Sequence, residues 1–255
     1  MRFTVLSAKK LLTSAAAIVA AVLFIVLISE TGAYAVFYGN GFKKLPIYSV
    51  KTDEKKIAIS FDCAWGADYT ETLLSVMKSE NVKCTFFTVQ FWTEKYPDLI
   101  KKISDEGHEI GTHSATHPHM AGLSAATVKK ELETSSIAIE NITGKKVELF
   151  RPPFGEYNDA VIECAESLGL YAVQWSVDSL DWKDLSAKEI EERVIDGADN
   201  GAIVLFHNQG LHTAEALPFI IKELKSQGYE FVPIGELIYK EGYRIAPNGA
   251  QIKND

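Results

Sequence analysis

Short apolar strands alternate with helical stretches along most of this chain, and this alternation constrains the fold more than any other feature. Several helical stretches begin with a capping residue and end in glycine, as helices prefer. Because parallel strands need crossover helices, the alternation predicts an α/β fold with a parallel sheet. Seven strand runs favour a distorted (β/α)7 barrel similar to a TIM barrel. The runs are IAISFD (57–62), CTFFTV (84–89), HEIGTHS (108–114), LFRPPF (149–154), YAVQWSVD (171–178), AIVLFH (202–207) and EFVPI (230–234).

Segments on both sides of this repeat have different expected structures. Residues 36–45 contain two glycines and no clear period, and are predicted to form a linker. The folded domain is predicted over 46–240. Within it, PIYSV (46–50) is expected to be an additional strand that pairs with IAISFD through the polar KTDEKK turn. The polar tail, 241–255, is expected to be loosely held.

The amino terminus contains a long apolar run over 11–29. At ~1.5 Å per residue it is just long enough to cross a bilayer's hydrocarbon core. Basic residues before it predict a single-pass membrane protein whose domain lies outside the cytoplasm. Residues 33–35 (AYA) resemble a cleavage site, so 1–35 is either an uncleaved anchor, which its length favours, or a signal peptide cut near Ala35. In the second case the protein is secreted. A buried core helix is a third interpretation of the run.

Charge and cysteine content exclude two classes of site. The formal net charge is −8, so no basic field exists to attract nucleic acid. Three cysteines at irregular spacing are neither a disulfide framework nor a CxxC zinc site. Cys84 and Cys164 lie in apolar stretches, where a buried thiol acts as a small hydrophobe.

Polar residues fall at the ends of five predicted strands. Asp62, His113, Arg151, Asp178 and His207 each lie at or just beyond the carboxyl end of a separate run. In β/α barrels the βα loops converge at that face and hold the active site. The sequence therefore predicts one polar site at this face.

His113 and His117 have the H-x-x-x-H spacing. Two imidazoles four residues apart can bind one metal ion if the segment turns helically after the strand. Pro118 and His119 also permit a plain loop, and two surface histidines are an equal alternative when the pattern is taken alone. The presence of Asp62 at a neighbouring strand end favours the metal site.

Together the five segments resemble the polysaccharide deacetylases with a NodB-homology domain, which form carbohydrate esterase family 4. The resemblance covers about residues 46 to 240, and its FDxxWG form is closest to the sporulation-associated branch. It implies a metal-dependent hydrolase that removes N-acetyl groups from N-acetylhexosamine units of a cell-wall glycan such as spore peptidoglycan. The matching segments are FDCAWG, HSATH (113–117), RPPFG (151–155), DSLDW (178–182) and IVLFH (203–207).

The resemblance also implies acid and base roles. Asp62 would be the general base that takes a proton from the attacking water, and Arg151 would hold its carboxylate ionised. His207 would protonate the leaving amine, oriented by Asp181.

Metal and substrate contacts follow from the same resemblance. His113 and His117 would hold a divalent metal, and the backbone N–H of Phe154, after Pro153, would stabilise the oxyanion. Trp182 would form one wall of the sugar groove.

Cys63 departs from the family pattern, in which a second Asp after the base is the third metal ligand. A Cys63 thiolate could replace it and would favour zinc over harder ions, although cobalt or another ion could bind. Alternatively, only the two histidines bind the metal. In a third reading no metal persists, and the domain binds glycan without hydrolysing it.

Several other residues have two interpretations. Asp178 is either a helix cap or a site residue, whereas Asp68 has the spacing of a capping box. His108 and His212 are expected at the surface. Trp65 and Phe206 either line the groove or belong to the core.

Overall fold

The computed structural model describes residues 44–254. The predicted anchor or signal peptide, 1–35, and nearly all of the predicted linker lie outside these residues. Within 44–254, none of the helices combines the length and apolar character needed to cross a bilayer.

A parallel sheet forms the centre of the domain, as the strand and helix alternation predicts. After the short β1 (Ser49–Val50), the central strand β2 (Lys56–Cys63) pairs in parallel with strands on both sides. The order along the sheet is β6-β5-β4-β3-β2-β8-β7, and β9 pairs with the start of β2. These strands are β3 (Thr85–Thr88), β4 (Glu109–Thr112), β5 (Leu149–Phe150), β6 (Tyr171–Ala172), β7 (Val177–Asp178), β8 (Ile203–His207) and β9 (Glu230–Phe231).

The barrel is incomplete, which corrects the predicted (β/α)7 barrel. The run 171–178 forms two short strands, β6 and β7, at opposite ends of the sheet rather than one continuous strand. The backbone between them leaves β5 after Val173 and reaches β8 at Ser176, where its N–H donates to Ile203. This crossing segment and residues 47–50, which form isolated bridges to Val173 and Ala202, therefore span the gap in place of a continuous ladder.

The two ends of the described chain meet in a second, small sheet. β1 pairs in parallel with β11 (Ala250–Lys253), which pairs with β10 (Tyr243–Ile245) in antiparallel fashion. The predicted pairing of 46–50 with β2 as a hairpin is therefore wrong, and so is the expectation of a loose tail. A local hairpin of β10 and β11 orders this polar tail, and the long-range pairing of β11 with β1 ties it to the domain.

Helices cover the sheet and are capped locally. The longest, α4, begins after Ser124, whose hydroxyl accepts from Thr127, and ends at Gly144 in the left-handed conformation. Asp68 does not cap α1, because the residue before that helix is Tyr69. The helices are α1 (Thr70–Ser79), α2 (Gln90–Lys95), α3 (Pro97–Asp105), α4 (Ala125–Thr143), α5 (Asp159–Ser167), α6 (Ala187–Gly197), α7 (Thr213–Ser226) and α8 (Ile234–Leu237). Short 3₁₀ turns occupy Met120–Gly122, Pro153–Gly155 and Asp181–Lys183.

The two faces of β2 separate the core from the site. Successive side chains of a strand point to opposite faces, and Ile59, Phe61 and Cys63 all belong to the largest apolar cluster. Phe61 stacks on Phe86 at 5.0 Å between ring centroids and lies 5.8 Å from Phe206. Phe206 is therefore a core residue.

Gly201 is a position where the fold requires glycine. Its φ is +76°, and a Cβ there would lie 1.8 Å from the carbonyl oxygen of Val50. We expect Gly201→Ala to lower the free energy of unfolding by at least about 2 kcal/mol in urea titrations, because strain and a backbone clash add. Gly144→Ala is the control, since φ is +67° but no atom lies within 4 Å of its Cβ. Equal losses for both variants would contradict the clash.

Candidate active site

A cleft opens at the carboxyl ends of the parallel strands. The β2–β8 register places Asp62 directly opposite His207, and both side chains line the cleft. His113, directly after β4, and Asp178, at the end of β7, also line it. The structure therefore brings these four residues to one place, as the strand-end pattern predicts, and Arg151 lies behind Asp62.

Arg151 and Asp62 form a buried ion pair. A guanidinium nitrogen, Nη1, donates to Asp62 Oδ1 at 2.8 Å, and Nη2 donates to the Ser60 hydroxyl at 2.9 Å and to the Gln174 carbonyl at 3.1 Å. The guanidinium also lies 4.2 Å from the ring centroid of Phe87. Burial raises the pKa of the Asp62 carboxyl, but the charge of Arg151, the neighbouring His113 and His207 and the Arg151 hydrogen bond together outweigh burial and leave the pKa below its ordinary value. Asp62 is therefore ionised.

His207 and Asp181 form a second pair across the cleft. His207 Nδ1 lies 2.8 Å from Asp181 Oδ1, and the backbone N–H of His207 donates to Oδ2 at 2.8 Å. The Thr213 hydroxyl also donates to Oδ2, at 2.6 Å, so the buried carboxylate is fixed. Burial lowers the pKa of His207, but the hydrogen bond and charge of Asp181 outweigh it and leave the pKa raised. His207 Nε2 makes no hydrogen bond with the described residues.

His113 is held in one orientation. Its Nδ1 lies 2.8 Å from the carbonyl oxygen of Arg151, so Nδ1–H donates and Nε2 carries the free lone pair. Nε2 lies 3.6 Å from Asp62 Oδ2. Burial lowers the pKa of His113, so its imidazole is neutral. This anchoring by a backbone carbonyl is typical of histidines that bind metals.

His117 meets His113 from a loop and not from a helical turn. Its φ is +56°, and its ring lies 4.9 Å from that of His113, between the rings of Trp65 and Phe154 at 4.8 and 4.5 Å. Burial lowers the pKa of His117 to about 4. Its Nδ1 is buried and has no hydrogen-bond partner among the described residues. Such a neutral, unpartnered nitrogen fits a metal ligand.

Cys63 does not join the two histidines. Its side chain is fully buried in the apolar cluster on the opposite face of β2 from Asp62, and Sγ lies 3.9 Å from the Phe61 carbonyl oxygen. Burial and the Asp62 charge raise the pKa of the thiol well above its ordinary value. Among residues 44–254, no three His, Cys, Asp or Glu side chains are grouped as a metal site. The two histidines fit a divalent ion, whereas the arrangement of Cys63 does not.

Phe154 and Trp182 form exposed aromatic walls of the cleft. Phe154 has a φ of +58°, which is strained for a residue with a Cβ, and follows the buried Pro153. Its ring stacks on His119 at 4.3 Å, and His119 Nδ1 lies 2.8 Å from Glu156. Trp182 is 56% exposed and, like Trp65, lines the cleft. Trp65 is therefore a groove residue.

The structure decides between the two interpretations of Asp178 and corrects the expectation for His108. Asp178 is not a helix cap, because its Oδ1 accepts from the Leu180 N–H at 2.9 Å in a local turn. His108 is 3% exposed and not a surface residue, and its Nδ1 accepts from the Cys84 N–H at 3.2 Å. His212 is half-exposed and pairs with Glu215 at 3.2 Å.

Three supporting residues are absent from the sequence-based site. Ser60 and Gln174 bind the Arg151 guanidinium, and Thr213 binds Asp181. Ser60 could have been found, since a hydroxyl in the middle of an apolar strand lies on the same face as Asp62. Gln174 contributes a backbone carbonyl, which no side-chain pattern signals.

Comparison with known proteins agrees with this geometry. The model of the polysaccharide deacetylase family matches residues 49–173. The peptidoglycan-N-acetylmuramic acid deacetylase PdaA of Bacillus subtilis is 37% identical over 202 residues, which are 78% of this chain and 77% of PdaA. The chain belongs to the polysaccharide deacetylase family.

Other relatives are longer than this chain. The peptidoglycan-N-acetylglucosamine deacetylase PgdA of Listeria monocytogenes is 39% identical over 79% of the chain, which spans 42% of PgdA. The uncharacterised Bacillus subtilis protein YlxY is 35% identical over 76% of the chain, which spans 60% of YlxY.

Solved structures of the family are similar to this one over about three quarters of the chain. A carbohydrate esterase family 4 pseudoenzyme from Bacillus anthracis matches with a TM-score of 0.74 and 35% identity over 76% of this chain and 69% of its own. PdaA matches with a TM-score of 0.72 over 75% of this chain and 84% of its own. The family therefore contains named deacetylases and a pseudoenzyme of the same fold.

The His207–Asp181 pair generates a prediction about protonation. We expect Asp181→Asn to lower the pKa of His207, measured by NMR titration of the imidazole, because the partner charge is lost. A raised folded pKa stabilises the protein fully below the unfolded value of about 6.5 and loses that stabilisation as pH rises through the folded value. The variant should therefore lose more unfolding free energy at about pH 5 than at about pH 9. Asp178→Asn is the control, and an equal shift in it would contradict this pairing.

Proposed function

We propose that this protein is an N-deacetylase of a cell-wall glycan, which hydrolyses the N-acetyl groups of N-acetylhexosamine units in peptidoglycan and releases acetate. The observation that carries the proposal is the position of two hydrogen-bonded charge pairs in one cleft. Asp62 pairs with Arg151, and His207 pairs with Asp181. Asp62 and His207 lie opposite each other on neighbouring strands. The names of PdaA and PgdA support peptidoglycan as the substrate.

Asp62 supplies the base. Its Oδ1 accepts from Arg151, which leaves Oδ2 to take a proton from the attacking water. Because the pKa of the carboxyl is lowered, the base is ionised before substrate binds. A positioned base of this kind contributes a rate factor of about 10² to 10⁴.

His207 supplies the acid. Nδ1 is held by Asp181, so the proton is delivered from Nε2 to the nitrogen that leaves as an amine. The raised pKa keeps this proton bound closer to neutral pH than in an isolated imidazole. The backbone N–H of Phe154 would donate to the oxyanion, and Trp182 would support the sugar ring.

His113 and His117 would hold a divalent metal. Imidazole ligands suit zinc, and cobalt binds similar donors. When bound, the ion would acidify water and polarise the acetamide carbonyl. Both rings are neutral, which leaves a lone pair for coordination on each of them.

A second candidate is glycan binding without hydrolysis. The core position of Cys63 favours it, because the resemblance implies an Asp ligand at this place in the chain. The similarity to the Bacillus anthracis pseudoenzyme also supports it.

For either function, the apolar run at 11–29 supports a folded domain on the outer side of the cell membrane. The domain would be held there by an anchor or released by secretion. The FDxxWG motif supports a spore-related glycan.

Replacement of the base tests hydrolysis directly. We expect the full chain to release acetate from N-acetylglucosamine tetramers or peptidoglycan glycan, and Asp62→Asn to reduce the rate by about 10² to 10⁴. Asp105→Asn, on the exposed surface of α3, is the matched control and should keep the rate. Wild-type chain that binds these glycans and releases no acetate, with metal added, would refute the deacetylase proposal.

Metal analysis tests the ligand set. We expect His117→Ala to lower the zinc content measured by elemental analysis, whereas Cys63→Ala leaves both zinc content and acetate release unchanged because the thiol lies in the core. Loss of zinc from Cys63→Ala would overturn the two-histidine assignment. Cys63→Asp separates the two functions, since a gain of metal and of acetate release over the wild type would favour the glycan-binding candidate.

A further inference from the structure

The segment 114–117, which ends at His117, has a strained backbone. Ser114 and His117 have φ values of +73° and +56°, in the left-handed region that is unfavourable for residues with a Cβ. Such a conformation persists only where the surrounding structure holds it. The Ser114 hydroxyl accepts from the His117 N–H at 3.0 Å, but this hydrogen bond lies within the segment itself. The segment therefore needs contacts from another part of the fold.

Glu131, near the start of α4, supplies these contacts. Its Oε2 accepts from the backbone N–H groups of Ala115 and Thr116 at 2.9 and 2.8 Å. Its Oε1 accepts from the Thr116 hydroxyl at 2.9 Å. Both carboxylate oxygens are therefore bonded to the two residues that come directly before His117.

The helix that carries Glu131 is firmly anchored. Leu132 is fully buried in an apolar cluster with Val128. Ser135, one turn after Glu131, is also fully buried, and its hydroxyl accepts from the Thr112 hydroxyl at 2.7 Å. One face of α4 thus holds the residue before His113 through Ser135 and the residues before His117 through Glu131.

The two histidines of the site are oriented in different ways. The ring of His113 is held directly, because its Nδ1 bonds to the carbonyl oxygen of Arg151. The Nδ1 of His117 has no such partner in the part of the chain that the structure describes, and its ring packs between those of Trp65 and Phe154. The place of the His117 ring therefore depends on its own backbone, and that backbone depends on Glu131.

We infer that Glu131 is a positioning residue for the metal site, which holds the segment 114–117 so that His117 lies beside His113 before an ion binds. The inference rests on the proposed function, because it concerns the ion that these two histidines would hold. A segment released by Glu131 would leave the left-handed conformation, and only the fraction of molecules with His117 in place could bind. The apparent affinity for the ion falls in proportion to that fraction.

Zinc affinity tests the inference in variants of the full chain. Zn²⁺ alone is titrated into folded protein in competition with a chromophoric chelator. We expect Glu131→Ala to weaken zinc binding by about 10- to 100-fold, the usual effect of removing a group that orients a metal ligand. Glu131→Gln should restore most of the affinity, because its amide oxygen can accept from both N–H groups and its NH₂ can donate to the Thr116 hydroxyl.

Glu133→Ala is the matched control. This glutamate lies two residues further along α4, and its partly exposed carboxylate pairs with Lys129 rather than with the histidine segment. The variant should keep the wild-type zinc affinity. A loss equal to that of Glu131→Ala would contradict the assignment to Glu131.

The same variants separate positioning from two other roles. A carboxylate that attracted the ion through its charge would give equal losses of affinity in Glu131→Gln and Glu131→Ala. A carboxylate that only stabilised the fold would lower the unfolding free energy in Glu131→Ala and leave the zinc affinity of the folded protein unchanged. Either result would overturn the inference. In a His117→Ala background, Glu131→Ala should cause no further loss of zinc affinity, and an additive loss would contradict a route through His117.

A measurement without metal keeps the two proposals apart. If the wild type binds no zinc, the metal assignment of the proposed function fails, but the position of His117 can still be measured by NMR in metal-free protein. Nuclear Overhauser contacts from the His117 ring to the Trp65 and Phe154 rings should be lost in Glu131→Ala and kept in Glu131→Gln and Glu133→Ala. Equal contacts in the wild type and all three variants would refute the inference.

Discussion

The buried guanidinium of Arg151 is the interaction on which the rest of this site depends. A fully buried cation is costly unless its charge and its N–H groups are satisfied. Asp62 supplies the charge, and Ser60 and Gln174 accept further hydrogen bonds. These partners come from β2 and from the segment that crosses the gap in the barrel, so Arg151 ties the central strand to that segment. The same residue accepts from His113 through its carbonyl oxygen, which links the orientation of the base to that of the first histidine.

Sequence reasoning identified the site because parallel strands end at a common edge. Asp62, Arg151 and His207 were placed at strand ends by period and composition, and the structure gathers them. Prediction from the sequence fails where strands are very short or pair with distant segments. β6 and β7 have two residues each, too few for a period, and β11 of the tail pairs with β1 about 200 residues away in the sequence as well as with its neighbour β10.

The buried position of Cys63 could be predicted from the sequence alone. Ile59 and Phe61 alternate with Ser60 and Asp62, so the period of two already assigned Cys63 to the apolar face of β2. The family resemblance concerns only the missing carboxylate and does not indicate the face of the strand on which this residue lies. The prediction for His108 is wrong for a different reason. General exposure preferences of histidine favour the surface, whereas the fold buries this ring beside Cys84.

The direction of the pKa shifts favours catalysis over simple glycan binding. Arg151 keeps the Asp62 carboxyl ionised, and Asp181 keeps the proton on His207 more firmly than burial alone would allow. A base without its proton and an acid with its proton are the states that amide hydrolysis needs at the start. A surface that only binds sugar gains nothing from two such pairs, and buried ion pairs contribute little net stability. A reaction therefore explains the presence of both pairs in this cleft, whereas sugar binding alone does not.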